Sequence, residues 1–146
     1  MVEAVNFNEP TQIVIAGHTA AVERACELAK AKGAKRAMKL AVSAPFHSSL
    51  LKPAADRLRE YMQDITFSAP QIALINNVDV AILNDPAAIK DALARQANGA
   101  VRWVETMQKL ATEGTTQVIE SAPSKVLIGM ATVSYTHLTL PTIPLV

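Results

Sequence analysis

"QIVIAGHTAAVERACELAKAKGAKRAMKLAV", residues 12–42, decides how the chain is read. Gln12 to Gly17 is a β-branched run closed by glycine, which reads as a strand. Thr19 stands at the expected helix N-cap with Glu23 in the turns that follow, and Ala21, Val22, Ala25, Leu28 and Ala29 recur at helical spacing. Gly33 is placed to end that helix as its C′ residue. Met38, Leu40 and Val42 then alternate with lysine and alanine, the pattern of a second strand. Residues 12–42 are thus expected to form a β-α-β unit.

The same alternation continues outward. Leu51, Ala54, Ala55, Leu58, Tyr61, Met62 and Ile65 follow the spacing of an amphipathic helix with Pro53 in its first turn. Ile72 to Ile75 is a short apolar strand running into "NNVDV". Asp85-Pro86 opens a helix over 87–96, and a further helix over 101–113 stops at Gly114. "QVIE" (117–120) is expected to be a strand, and Ser124 to Met130 the last helix. Strands alternating with helices predict an α/β layer architecture.

Composition narrows the function classes. The 146 residues are half hydrophobic, 18% charged and carry a net charge of +1. That is a globular balance without the field expected of a nucleic-acid or anionic-membrane binder. Lys30, Lys32, Lys35 and Arg36 fit either a solvated helix end or a phosphate-bearing ligand. Cys26 is the single cysteine, so no disulfide framework or cysteine metal site is available. No signal peptide opens the chain and no apolar run is long enough to span a bilayer, so a soluble, cytoplasmic protein is expected.

"SAPFHSSLLKPA" (43–54) holds the residue best suited to chemistry. A histidine at a strand-to-helix seam can shuttle a proton at the sheet edge, where α/β proteins bind ligands. His47 by itself fits a helix-opening residue equally well, and Ser48 and Ser49 fit caps. No serine lies in a G-x-S-x-G elbow, "AGHTAA" (16–21) lacks a serine at the nucleophile position, and no glycine-rich phosphate loop is present. His47 and His18 lack metal-ligand company. From the residues alone a complete catalytic centre cannot be assembled.

"VNFNEPTQIVIAG" (5–17), "GAKRAMKLAVSAPFHSSLLKPA" (33–54), "ALARQ…VRW" (92–103) and "SKVLIGM" (124–130) resemble, in that order, the later half of malonyl-CoA:acyl carrier protein transacylases. The resemblance implies part of a ferredoxin-like small subdomain over 1–42 and part of an α/β-hydrolase-like acyltransferase domain over 43–132. It implies transfer of a malonyl group from malonyl-CoA to acyl carrier protein through a serine ester in fatty-acid synthesis, with no cofactor, metal, nucleic acid or membrane involved. His47 matches the catalytic base, Gln96 a residue whose backbone carbonyl holds that imidazole, and Phe46 a ring that crowds methyl-branched acyl units. Core packing accounts for Phe46 as well, and a helix-terminal polar role for Gln96. Asn6 and Asn8 match an "NxN" entry to the small subdomain's strand, where a turn-making role is expected, and Asn76 and Asn77 fit a cleft lining or a strand-terminal turn.

Two stretches depart from the family pattern. Ala122-Pro123-Ser124-Lys125 stands where glycines usually flank the proline, and "ANGAVRW" (97–103) lacks a common N-P-V. The elbow serine, the arginine that clamps malonate and the oxyanion-hole donor have no counterpart in these residues, so the chain by itself is expected to be inactive. "VSYTHLTLPT" (133–142) resembles read-through of a transposon-derived sequencing adapter, so 133–146, including His137, is expected to be a non-native tail. The alternatives are an acyltransferase domain of a polyketide synthase and a non-catalytic β-α-β binding module with the 87–113 region as its interaction surface.

Overall fold

A computed structural model describes residues 1–121 and 125–134. Its first element corrects the expected β-α-β unit. Strand β1 (Val2–Glu9) pairs antiparallel with β2 (Gln12–Gly17) across a turn at Pro10 and Thr11. Helix α1 (Thr19–Ala31) follows with His18, not Thr19, at its N-cap. Gly33 adopts φ 91° just beyond that helix, the left-handed geometry expected of a C′ glycine.

No strand forms at Met38 to Val42, although the alternation is correct; Met38, Leu40 and Val42 are all more than half exposed. An alternating pattern makes a strand only when a second backbone takes up its donors and acceptors, and the hydrogen bond found here is the local one from Val42 N to Leu40 O, 2.9 Å.

A short 3₁₀ turn (Ser49–Leu51) leads into α2 (Lys52–Tyr61), whose first turn contains Pro53, and a second 3₁₀ turn (Met62–Asp64) ends it. The expected strand at Ile72 to Ile75 shrinks to β3 (Ile75–Asn76), paired antiparallel with β4 (Ala81–Ile82), which the sequence pattern did not reveal. Helix α3 (Pro86–Gln96) starts as expected: the Asp85 carboxylate accepts from Ala88 N at 2.8 Å and proline occupies the first turn. Helix α4 (Trp103–Thr112) is shorter than its pattern, because Val101 is taken up by β1. Val101 N donates to Val5 O (2.8 Å) and Phe7 N donates to Val101 O (2.9 Å). "QVIE" forms no strand, and the last helix is α5 (Val126–Ser134); Ser124 and His137 lie outside the described residues. Helices and small sheets thus alternate in an α/β arrangement.

The core is thin. Ladder register shifts between Ala4 and Asn6, a bulge that leaves Val5 buried at 2% exposure facing α4 and α5. Met107 of α4 and Ala131 of α5 are buried too, on helices that pack against β1; Ala55 and Ala92 are buried on α2 and α3, which pack together. Most fully buried apolar residues are alanines, so large apolar side chains remain outside, Ile72 at 82% exposure among them. Apolar surface of this kind drives association. The chain on its own is expected to elute from size exclusion as concentration-dependent oligomers and to bind ANS; a monomer without dye binding contradicts this.

Candidate active site

His47 sits in a tight turn built by its neighbours. Ser48 N and Ser48 Oγ both donate to Pro45 O, at 3.3 and 2.7 Å, and Ser48 is fully buried. The turn puts His47 itself at φ 62°. A side chain with a Cβ rarely adopts this left-handed conformation, and holding it costs about 1–3 kcal/mol, which the surroundings must supply. One support comes from β1. The Glu3 carboxylate accepts from Ser49 N (2.9 Å) and Ser49 Oγ (2.5 Å), binding the start of the α2 segment to the hairpin.

The other support is on the ring. His47 Nδ1 lies 2.9 Å from the backbone carbonyl oxygen of Gln96, the last residue of α3. A carbonyl only accepts, so Nδ1 carries a proton, and in the neutral ring this leaves the lone pair on Nε2. Carbonyls of a helix's last turn lack intrahelical partners, so this acceptor comes with the helix end itself. This bond brings His47 and Gln96, 49 residues apart in sequence, together. Phe46, next in sequence to His47, is about half exposed.

Asn76 makes a turn: its Nδ2 donates to Ala81 O (2.9 Å) and its Oδ1 accepts from Asp79 N (2.8 Å). Asn77 contributes its carbonyl to Arg102 N (3.2 Å). Two supports escaped the sequence reading. Glu3 is one; the other is Arg95, whose Nη1 and Nη2 grip the two Asp79 oxygens at 2.6 and 2.7 Å while Nε donates to Asp91 (2.6 Å). The adjacency of Arg95 to Gln96 was the available signal.

A cavity of 230 Å³ between β3 and α3 is lined by Leu74, Ile75, Leu83, Ile89, Leu93 and Gln96 among others. It offers no cation to a carboxylate and reads as a packing gap. Among the described residues no three His, Cys, Asp or Glu side chains converge as a metal site, and no helix is long and apolar enough to cross a membrane.

Hydrogen bonds from Ser49 hold the Glu3 carboxyl below its usual range, and the Arg95 guanidinium does the same for Asp79. A depressed carboxyl stabilises the fold above its ordinary pKa and loses that contribution as pH falls toward its folded value, here below about pH 4. Thermal melts followed by circular dichroism are therefore expected to fall steeply below about pH 4, and less steeply in Glu3→Gln and Asp79→Asn. Equal acid slopes in all three proteins contradict this.

No family model matches the chain. Curated relatives do: the malonyl CoA-acyl carrier protein transacylase of Salmonella typhimurium is 51% identical over 130 residues, 89% of this chain and 42% of the relative. That of Bacillus subtilis is 45% identical over 130 residues, 89% of this chain and 41% of the relative. The acyl-carrier-protein S-malonyltransferase of Burkholderia pseudomallei superposes with a TM-score of 0.93 at 61% identity, over 95% of this chain and 45% of that one. A malonyl-transacylase solved in complex with a type II PKS acyl-carrier protein does so with a TM-score of 0.93 at 46% identity, over 96% of this chain and 45% of that one. The chain spans less than half the length of the relatives it matches. Over that span sequence and fold agree, and the chain matches a segment of malonyl CoA-acyl carrier protein transacylases.

Proposed function

We propose that this chain carries the histidine side of a site that moves a malonyl group from malonyl-CoA to acyl carrier protein in fatty-acid synthesis. A serine hydroxyl of the kind the resemblance implies gives its proton to His47 Nε2 as its oxygen attacks the thioester carbonyl. The C–S bond breaks, the proton passes to the departing CoA sulfur, and a malonyl-serine ester remains. The carrier protein's thiol then gives its proton to Nε2, attacks the ester and takes the malonyl group, and the serine recovers its hydrogen. Gln96 keeps the ring in the tautomer that both half-reactions need, the task a carboxylate performs in other triads. Phe46 is the proposed selectivity residue.

One observation carries the reading: the 2.9 Å bond from Nδ1 to the Gln96 carbonyl, made by a histidine held in left-handed backbone. None of the 146 residues is a serine in a G-H-S-x-G context, so the nucleophile is proposed to come from sequence outside the matched segment. In the same reading residues 1–42 belong to a ferredoxin-like small subdomain and 43–132 to an α/β-hydrolase-like domain in a cytoplasmic enzyme, with 133–146 a non-native tail.

A hybrid tests this directly. Residues 1–132 replace the matched segment of the Salmonella typhimurium relative, and malonyl transfer from CoA to acyl carrier protein is followed. Transfer by the hybrid is expected; a folded hybrid with no transfer overturns the proposal.

A further inference from the structure

The geometry points to Arg95 and Asp79 as positioning residues for His47, acting through the end of α3; the inference rests on His47 being the working base. Both non-glycine residues with left-handed backbone among the described residues meet here. His47 (φ 62°) bonds to the helix end, and Val80 (φ 56°) lies in the β3–β4 turn that grips it. A β-branched residue almost never holds this conformation unless its surroundings force it.

The forcing is visible. Asn76, itself buried, clips the turn at both ends through Asp79 N and Ala81 O, which presents the Asp79 carboxylate to Arg95 as a two-pronged acceptor. A paired fork fixes orientation as well as distance, which a lysine's point charge does not.

Arg95 also supplies the last helical acceptor before the carbonyl that His47 takes. Asn98 N and Gly99 N both donate to the Arg95 carbonyl, at 3.3 and 2.7 Å, the second with α-helical spacing, and His47 takes the next carbonyl, that of Gln96. Gly99 allows the turn: a Cβ there would stand 2.7 Å from both Arg95 O and Val78 Cγ2. Arg102 N then donates to Asn77 O at 3.2 Å, bracing the same turn from the α4 side. The side chain of residue 95 thus anchors the helix end to a strained turn, one residue before the carbonyl that His47 takes.

The readout is the imidazole itself, by ¹⁵N NMR of the 146-residue chain in alkaline buffer where imidazoles are neutral. In the unmodified chain the two His47 ring nitrogens are expected far apart in shift, with the proton on Nδ1. In Arg95→Lys and in Asp79→Asn the two signals are expected to converge as the tautomer preference is lost. Asp91→Asn, which removes the other partner of Arg95 and leaves the fork, is expected to keep the unmodified pattern. Asp79→Asn is nearly isosteric and carries the test alone if Arg95→Lys does not fold. An unchanged His47 ring in Asp79→Asn overturns the inference, as does convergence of equal size in Asp91→Asn. The measurement needs no acyl transfer, so a hybrid that fails to transfer malonyl while the ring responds sinks the functional reading alone.

Discussion

His47→Ala in the hybrid transacylase is expected to lower the rate of malonyl transfer about 10²–10⁴-fold, the usual share of a general acid–base group. Both half-reactions should slow, because the same Nε2 serves the serine and then the carrier thiol. Rapid-quench measurement of malonyl-enzyme formation separates the first from the second. Gln96→Ala is expected to keep most of the rate, since the bond to Nδ1 uses the backbone carbonyl and survives loss of the side chain. His47→Gly adds a test that structure alone would not suggest. Glycine adopts φ 62° without penalty, and both variants lose the ring's bond to Gln96, so His47→Gly should be more stable than His47→Ala while remaining as inactive. Transfer within tenfold of the parent in His47→Ala would show that the base lies elsewhere, and a His47→Gly no more stable than His47→Ala would show that the left-handed turn is not strained.

The helices were legible because their signals are local. Asp85 and Pro86 start α3 by a cap and a ring whose effects reach three residues, and the apolar spacing of α2 needs no partner to be recognised. Strands were not, because they depend on what lies alongside. Met38 to Val42 alternates and forms nothing, whereas β1 forms and was passed over, although Pro10-Thr11 between two apolar runs marked a hairpin. At the site, residue type disclosed His47 but neither its left-handed backbone nor its acceptor. "PFHS" has no glycine to announce a positive φ, and a bond to a backbone carbonyl leaves no trace in the identity of Gln96. That pairing came from the resemblance. Glu3 lies 44 residues from His47 on the strand that was passed over, and Asp79 32 residues away in a stretch read as loop or strand end, so nothing local connected them to it.

Met107→Ala is expected to cost about 2–5 kcal/mol, with a melting midpoint lower by on the order of 10 °C or more. Met107 is 1% exposed, and among the described residues it and Val5 are the largest apolar side chains so fully enclosed. The rest of the buried apolar set is mainly alanine, which can neither move into the space nor supply equivalent contacts. In a domain whose whole stability is about 5–15 kcal/mol, such a loss is a large fraction. The consequence should reach the site, because α4 packs on β1, and β1 carries Glu3, the acceptor for Ser49. Loosening β1 frees the His47 turn on one side while the Gln96 bond persists on the other. Met107→Leu conserves volume and should cost less than about 1.5 kcal/mol, which separates the cavity from any special role of sulfur. Urea unfolding of both variants decides the matter: near-equal midpoints would mean that the interior relaxes around the cavity and that the alanine-rich core is softer than its burial suggests.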